Sequence, residues 1–425
     1  MYKAKQLLLA IILVIIPITS FSQNTTNSPY SRYGYGKLSE KAFAAQRGMG
    51  GIGLGVRNSK IINPMNPASY SNVDSMTFMI DMGIMGQMGW LEEGNESDKK
   101  ANGGLEYLAM QFPLSKKVGM GIGLEPISHV GYGYGRYEYL SDEESYATVS
   151  HTGDGGLSQV YASLSYDFFD RISVGAKFGY LFGDIKHDNT SALSPTGTHI
   201  ASWRDTLRIS GISYNLGIQY HQPIGKDKYF VVGAVYTPKT KVSGNYKAAD
   251  LRMTSSGSTI SSDYFSSKDS IYEMPESYGI GISYNKINKY MVGFDALYEK
   301  WSEAKFHDTT DQLKDRMKFS LGGEFIPDAF SRNYFKQIRY RAGLNYADSY
   351  IKAEYNNSPK EHEYKEYGAS FGLGFPTVDK RSMVNISFDY SLLSPDTNGM
   401  TKEQYFKITL SYTFNELWFF KRKVQ

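Results

Sequence analysis

Residues 171–183, RISVGAKFGYLFG, read as a strand with two unlike faces. Ile172, Val174, Ala176, Phe178, Tyr180 and Phe182 share one face and Ser173, Gly175, Lys177 and Gly179 the other, because successive strand side chains point to opposite sides. A water-soluble sandwich alternates in the same way, so this segment alone leaves two architectures open. Further along, Ile212, Tyr214, Leu216, Ile218 and Tyr220 oppose Ser213, Asn215, Gly217, Gln219 and His221. Ile338, Tyr340, Ala342, Leu344 and Tyr346 likewise oppose Arg339, Arg341, Gly343 and Asn345, and the split returns around 384–390 and 406–414. Each apolar face is long enough to cross a bilayer as a tilted strand of about nine to eleven residues.

About fourteen such segments can be placed, near 76–88, 104–113, 117–128, 156–169, 171–183, 205–222, 228–240, 275–286, 289–300, 315–327, 334–347, 364–376, 382–393 and 402–415. Connections near 115–117, 170, 223–227, 286–288, 328–333 and 377–381 are short. Those near 90–102, 129–155, 184–204, 241–274, 301–314, 348–363 and 393–401 are mostly longer. Alternating short turns and long loops predict an all-β transmembrane antiparallel barrel whose even strand count brings both ends of the wall to one side. A sandwich has no reason to lengthen every second connection.

Composition agrees. The 425 residues include 35 Tyr, 23 Phe and 42 Gly, and a mean hydropathy of −0.41 excludes a helical membrane bundle. A net charge of +3 with no internal basic block gives no support to nucleic-acid binding. With no cysteine, thiol chemistry, disulfides and lipoprotein anchoring are excluded together.

Lys3 and Lys5 precede the apolar run 7–16, and Ser20-Phe21-Ser22 lies just before Gln23, the layout of a cleavable signal peptide over residues 1–22. About a dozen apolar residues are too few to span a bilayer of roughly 30 Å, which disfavours an uncleaved anchor. Residues 23–75 then form an N-terminal plug, 76–415 the barrel, and 416–425 a basic aromatic tail in which Trp418, Phe419, Phe420 and Lys421-Arg422-Lys423 suit a membrane interface. The plug is predicted because 28–70 is rich in Gly and Pro, which oppose a long regular element.

Gly48-Met-Gly-Gly-Ile-Gly53, followed by Asn63-Pro64-Met65-Asn66-Pro67-Ala68-Ser69-Tyr70 just before the first strand, resembles the N-terminal hatch of the FadL family of outer-membrane transport proteins. Met274-Pro275-Glu276-Ser277-Tyr278-Gly279 looks like that family's proline-containing strand entry. The resemblance implies a fourteen-stranded barrel with a hatch, passing lipophilic molecules from a loop pocket past the hatch and sideways into the membrane at a kinked strand. It makes Gly48, Gly50, Gly51, Asn63, Pro64, Asn66, Pro67, Ala68 and Tyr70 candidates for ligand contact or gating. Pro126, Gly131, Gly133 and Gly135 are candidates for the lateral opening, since proline removes a ladder bond and glycine admits a bend. The competing reading makes 131–135 the base of a flexible Tyr-rich loop. The loop 241–274, with its SSGSTISSDYFSSKDS run, is too polar for a greasy capture site and departs from the family pattern.

Lys177, Asp295, Arg339, Arg341 and Asp389 lie on the polar face with Asp167, Glu299, Lys318, Glu324 and Lys407. They are expected to point into the lumen and hold the hatch, or else to line a wet channel. Gly48-x-Gly50-x-x-Gly53 matches a dinucleotide fingerprint only formally, since no buried strand precedes it. The seven histidines lack metal-ligand spacing, so no enzyme activity, metal or cofactor is expected. The leading expectation is passive uptake of a small hydrophobic or amphipathic molecule across the outer membrane of a Gram-negative bacterium, with the bilayer as partner. The alternative is a non-transporting structural or accessory barrel subunit of an outer-membrane protein assembly, contacting another protein through Tyr132, Tyr134, Tyr137 and Tyr139.

Overall fold

Two-faced strands satisfy every backbone group in a bilayer only by closing on themselves, which removes both sheet edges. The computed structural model describes residues 25–139, 146–194, 199–256, 258–268, 270–353 and 361–417, and within them fourteen antiparallel strands close into a barrel. These are β1 (Thr77–Glu93), β2 (Glu96–Pro113), β3 (Val118–Tyr139), β4 (Tyr146–Phe168), β5 (Ile172–Ser194), β6 (His199–Pro223) and β7 (Lys228–Thr237, continued by Thr240–Thr254). There follow β8 (Thr259–Ser267, Ile271–Met274 and Glu276–Lys286), β9 (Tyr290–Lys300), β10 (Arg316–Phe325), β11 (Arg339–Asp348), β12 (Tyr364–Pro376), β13 (Met383–Pro395) and β14 (Lys402–Leu417). Pairing of β14 with β1, from Lys402 opposite Glu92 to Leu417 opposite Thr77, closes the wall.

The alternation sorts as expected: Phe178, Tyr180, Leu216 and Ile218 are exposed on the outer wall, while Lys177 and Gln219 are buried facing the lumen. The outer face is an apolar band suited to lipid.

Three expectations are corrected. The connections near 90–102, 129–155, 184–204 and 241–274 are largely strand: β1 and β2 meet at Gly94-Asn95, and β3 pairs with β4 out to Tyr139 opposite Tyr146. Beyond the bilayer the outer face of a hairpin meets water instead of lipid, so the ladder continues where the apolar alternation stops. Pro275 does not begin a strand. It interrupts β8, as Pro238 interrupts β7, because each lacks the N–H that the ladder needs. The wall also starts at Thr77 and runs to Leu417, two residues past the expected end. Signal peptide 1–22 and most of the tail 416–425 lie outside the described residues.

Segments 301–315 and 349–353 fold over the loop end of the barrel, burying Trp301, Leu313, Tyr350 and Ile351. They join one apolar cluster with Val130, Leu181, Leu207, Tyr272 and Tyr405. This cluster occupies the loop end of the lumen.

Candidate functional site

The N-terminal segment fills the lumen from the loop end downward. Pro29 starts a short 3-10 turn, Pro29–Arg32, and the two tyrosines on either side of the next bend insert into the apolar cluster. The Tyr30 ring lies tilted 4.7 Å from that of Tyr364, and its hydroxyl donates to Thr401 O at 2.6 Å. Tyr35 packs its ring 5.0 Å edge-on from Phe306 and 5.8 Å from Trp301, and donates to Glu273 O at 3.1 Å. Tyr350 donates to Gly36 O, and Ser28 Oγ bonds Glu403 at 2.7 Å. Buried hydroxyls thus find partners while the rings exclude water. The segment 28–36 caps the loop end from inside.

Below it, the Gly-rich stretch lies flat against the wall. It includes one short helix, Ala44–Arg47, and a 3-10 turn, Pro67–Asn72. The close approach depends on lumen-facing glycines in the strands: a Cβ on Gly119 would stand 1.9 Å from Tyr70 O, on Gly233 1.9 Å from Leu54 O, and on Gly322 2.1 Å from Met49 O. On the plug side Gly50 has φ +68, and a Cβ there would stand 2.8 Å from the carbonyls of Leu321 and Leu344. A belt of strand glycines therefore seats the plug backbone on the wall.

Lumen side chains satisfy the irregular backbone. Asp295 accepts from Gly53 N at 2.6 Å and Leu54 N at 2.8 Å. Gln219 donates to Leu54 O and Val56 O, each at 3.1 Å, Ser283 donates to Gly55 O at 2.7 Å, and Lys177 donates to Pro64 O at 3.2 Å while pairing with Glu125 at 2.8 Å. Ion pairs add further ties: Arg47–Glu106, Arg57–Asp167 at 3.1 Å, Lys41–Glu299 at 3.3 Å and Glu40–Lys318. For Glu40, burial pushes the carboxyl up, but the Lys318 ammonium, with Arg316 and Arg47, outweighs it and holds the group at about 2. A depressed carboxyl pKa contributes stability that is complete above its ordinary value of about 4.5 and lost as pH falls through about 2. Protease sensitivity of the plug is therefore expected to rise between pH 4.5 and 2, and Glu40→Gln should show a weaker pH dependence in that window.

The wall also opens between β2 and β3. β2 and β3 pair only from Pro113 opposite Gly119 to Leu108 opposite Leu124. Beyond Leu124, β2 stays on β1 and β3 stays on β4, so the two strands part. Pro126 lies at the parting, beside a register shift between Pro126 and Ser128. The plug fills the opening as a strand: Lys37 and Leu38 pair antiparallel with His129 and Ser128, and Ser39 N donates to Ile127 O at 2.9 Å. Ser31 Oγ bonds Gly131 N at 3.1 Å, and Thr25 Oγ1 lies 2.6 Å from His129 Nδ1. A cavity of about 820 Å³ opens here, lined by Thr25, Glu106 and His129 within, Leu105 and Pro126 at the edge, and Phe182 outside. Because the chain has no cysteine, Leu38→Cys with Ser128→Cys gives an unambiguous test. The pair is expected to close under mild oxidation, and persistent free thiols would refute the pairing.

Among the expected hatch residues, Asn63 braces the plug internally by donating to Gly53 O at 2.7 Å and Val56 O at 3.1 Å. Asn66 caps the 3-10 turn at Ala68 N and donates to Leu54 O at 2.8 Å. Pro64, Pro67, Ala68 and Tyr70 are buried beside it, with Tyr70 OH 3.1 Å from Tyr161 OH. Gly48 and Gly50 meet the wall, while Gly51 faces Glu40 and Lys318. Of the lateral-opening candidates, Pro126 and Gly131 border the gap, whereas Gly133 and Gly135 are exposed in the outer part of β3. Lys177 donates to Pro64 O of the plug, and Asp295 accepts from Gly53 N and Leu54 N. Arg339 and Arg341 instead bind Glu324 at 2.5 and 2.8 Å, and Asp389 accepts from Ser387 at 2.9 Å, so these three brace the wall. Tyr132 is buried rather than free for partner contact, Tyr134 and Tyr137 are exposed, and the Tyr139 side chain lies outside the described residues. Sequence reasoning missed the glycine belt, although glycine at inward strand positions signals close backbone approach.

A family model described as BamG matches residues 3–425. The chain belongs to the BamG family. No curated protein matches its sequence. Among solved structures, this BamG-family chain is similar to the Pseudomonas putida toluene transporter TodX, at TM-score 0.62 and 16% identity over 90% of this chain and 100% of that one. It is also similar to a Pseudomonas aeruginosa FadL homologue, at TM-score 0.61 and 12% identity over 89% and 99%, and to the CymD monoaromatic hydrocarbon channel, at 0.53 and 18% over 90% and 98%. At such identities the likeness is one of fold, a FadL-like barrel carried by a BamG-family sequence.

Proposed function

We propose that this chain is a sealed outer-membrane barrel serving as a structural or accessory subunit of an outer-membrane protein assembly. The observation that carries this reading is the packed cap, in which Tyr30 and Tyr35 of the N-terminal segment complete the aromatic cluster at the loop end. A capture pocket for lipophilic molecules needs an apolar cleft at that end, and a packed core occupies its place. The plug beneath, seated on glycines and tied by buried ion pairs, suits a permanent filling. Exposed Tyr134 and Tyr137 on the outer part of β3 supply aromatic contact area for a partner. Extraction in mild detergent is expected to yield the barrel with a stoichiometric partner, and deletion to leave hydrocarbon uptake unchanged. A barrel that elutes alone, from cells that lose uptake on deletion, would overturn this reading.

A second reading, passive uptake of a small hydrophobic or amphipathic molecule, is favoured by the parting of β2 and β3 beside the 820 Å³ cavity. The printed names of the similar structures, toluene transporter and hydrocarbon channel, belong to those proteins and lend this reading support. Under it, proteoliposomes should admit an aromatic hydrocarbon, and the Leu38→Cys/Ser128→Cys cross-link should stop entry.

A further inference from the structure

The turn end of the barrel carries a charge asymmetry that neither reading uses. A cavity of about 420 Å³ opens there between the plug and two wall turns. The plug contributes Arg57 and Lys60, the β6–β7 turn Lys226 and Lys228, the β8–β9 turn Lys286 and Lys289, and β11 contributes Arg339. Glu324 is the one carboxylate among the lining residues, and it is consumed by Arg339 and Arg341. Arg57 is paired with Asp167 from behind. Five ammonium groups remain without a carboxylate partner among the described residues. Lys289 donates to Pro327 O at 2.6 Å and lies 5.5 Å from the Phe325 ring, and Lys60 donates to Lys380 O at 3.5 Å, so neither contact brings a negative charge. His221 adds a buried Nδ1 that has no hydrogen-bond partner. Burial, with Arg339 nearby, pushes the Lys60 ammonium below its ordinary pKa, outweighing the opposing pull of Asp74 and Glu324.

Such a concentration of unpaired cations is a binding surface for anions. Its position selects the kind. The turn tips on either side, Ile224 and Ile287, are 57% and 53% exposed, and Phe230 and Tyr284 continue the outer wall beside them. The cavity mouth thus sits where the apolar band ends, at the level of lipid phosphates. We infer that the cavity between Lys60, Lys226, Lys228 and Lys286 binds a phosphate-bearing ligand, presented by the headgroup of an anionic phospholipid.

The test uses the full-length protein in detergent, titrated with phosphatidylglycerol or phosphatidylcholine and read by native mass spectrometry. Wild-type protein is expected to retain phosphatidylglycerol preferentially. The exposed-turn variant Lys226→Gln/Lys228→Gln/Lys286→Gln should lose about ten-fold or more of that retention, since each cation near a membrane surface contributes on the order of a few-fold. Lys116→Gln/Lys117→Gln, on the β2–β3 turn, is the control for diffuse charge. If soluble phosphoglycerol binds with the same dependence on the three lysines while the lipid is not retained, the phosphate chemistry stands and its source is soluble. Equal loss in the control variant, or no preference for phosphatidylglycerol over phosphatidylcholine together with no phosphoglycerol binding, would overturn the site.

Discussion

Gly233→Val is expected to unseat the plug and lower the thermal midpoint of the barrel, whereas Gly86→Val leaves it unchanged. A Cβ at Gly233 would stand 1.9 Å from the backbone O of Leu54 and 3.0 Å from the buried side-chain Nδ2 of Asn66, which is itself held by Leu54 O. Neither can yield without moving the plug off the wall. Overpacking of a filled interior costs about 1–3 kcal/mol when side chains can relax, and a backbone contact leaves no side chain to relax. A loss at or above the top of that range is therefore expected. At Gly86, on the same kind of strand, nothing lies within 4 Å of an added Cβ, so the pair separates plug seating from a general β effect of valine. Heat-modifiable gel migration and limited proteolysis at the plug are the measurements. Indistinguishable midpoints for the two variants would remove the belt from the account.

Arg47→Ala should be the most damaging single change in the charge network. Its guanidinium joins Glu106, on β2 beside the gap, to the plug carbonyls Ala42 O at 2.8 Å and Glu40 O at 3.1 Å. Among the described residues, removal leaves the buried carboxylate with Lys407, at 3.6 Å, as its one ion-pair partner, and takes a donor from two carbonyls. Breaking one side of a buried pair costs about 3–5 kcal/mol. Glu106→Gln should cost less, because the amide oxygen still accepts from Arg47. Denaturant midpoints of the two single variants and the double variant give the coupling. Additive effects would mean that the two residues do not act as a pair.

How much was legible varies along the chain for definite reasons. In 171–183 every second side chain meets lipid, so the alternation was unmistakable, and strand existence followed. From Asp184 to Ser194 the same β5 continues with its outer face in water instead of lipid, the apolar alternation fades, and a loop is expected where the ladder runs on. Pro126 was legible as a break because proline removes a donor wherever it stands. That β2 leaves β3 there was not, because it depends on which neighbour wins the free edge, and Lys37–Leu38 of the plug wins it. Lumen charges were legible as inward-facing, but their partners were not: Lys177 reached Pro64 O, while Arg339 and Arg341 turned to Glu324 across one strand pair.

The sequence by itself determined the barrel, its strand number, the inward and outward faces, and the presence of an irregular N-terminal filling. These follow from period-two patterning and from the dihedral limits of Gly and Pro, which act locally. Only the tertiary structure decided that Tyr30 and Tyr35 close the loop end, that strand glycines seat the plug, that the plug completes an interrupted wall, and that basic turns converge on one cavity. Each of these joins residues on separate elements far apart in the chain, and which of them meet is set by the curvature of the closed sheet, a quantity that no local pattern contains.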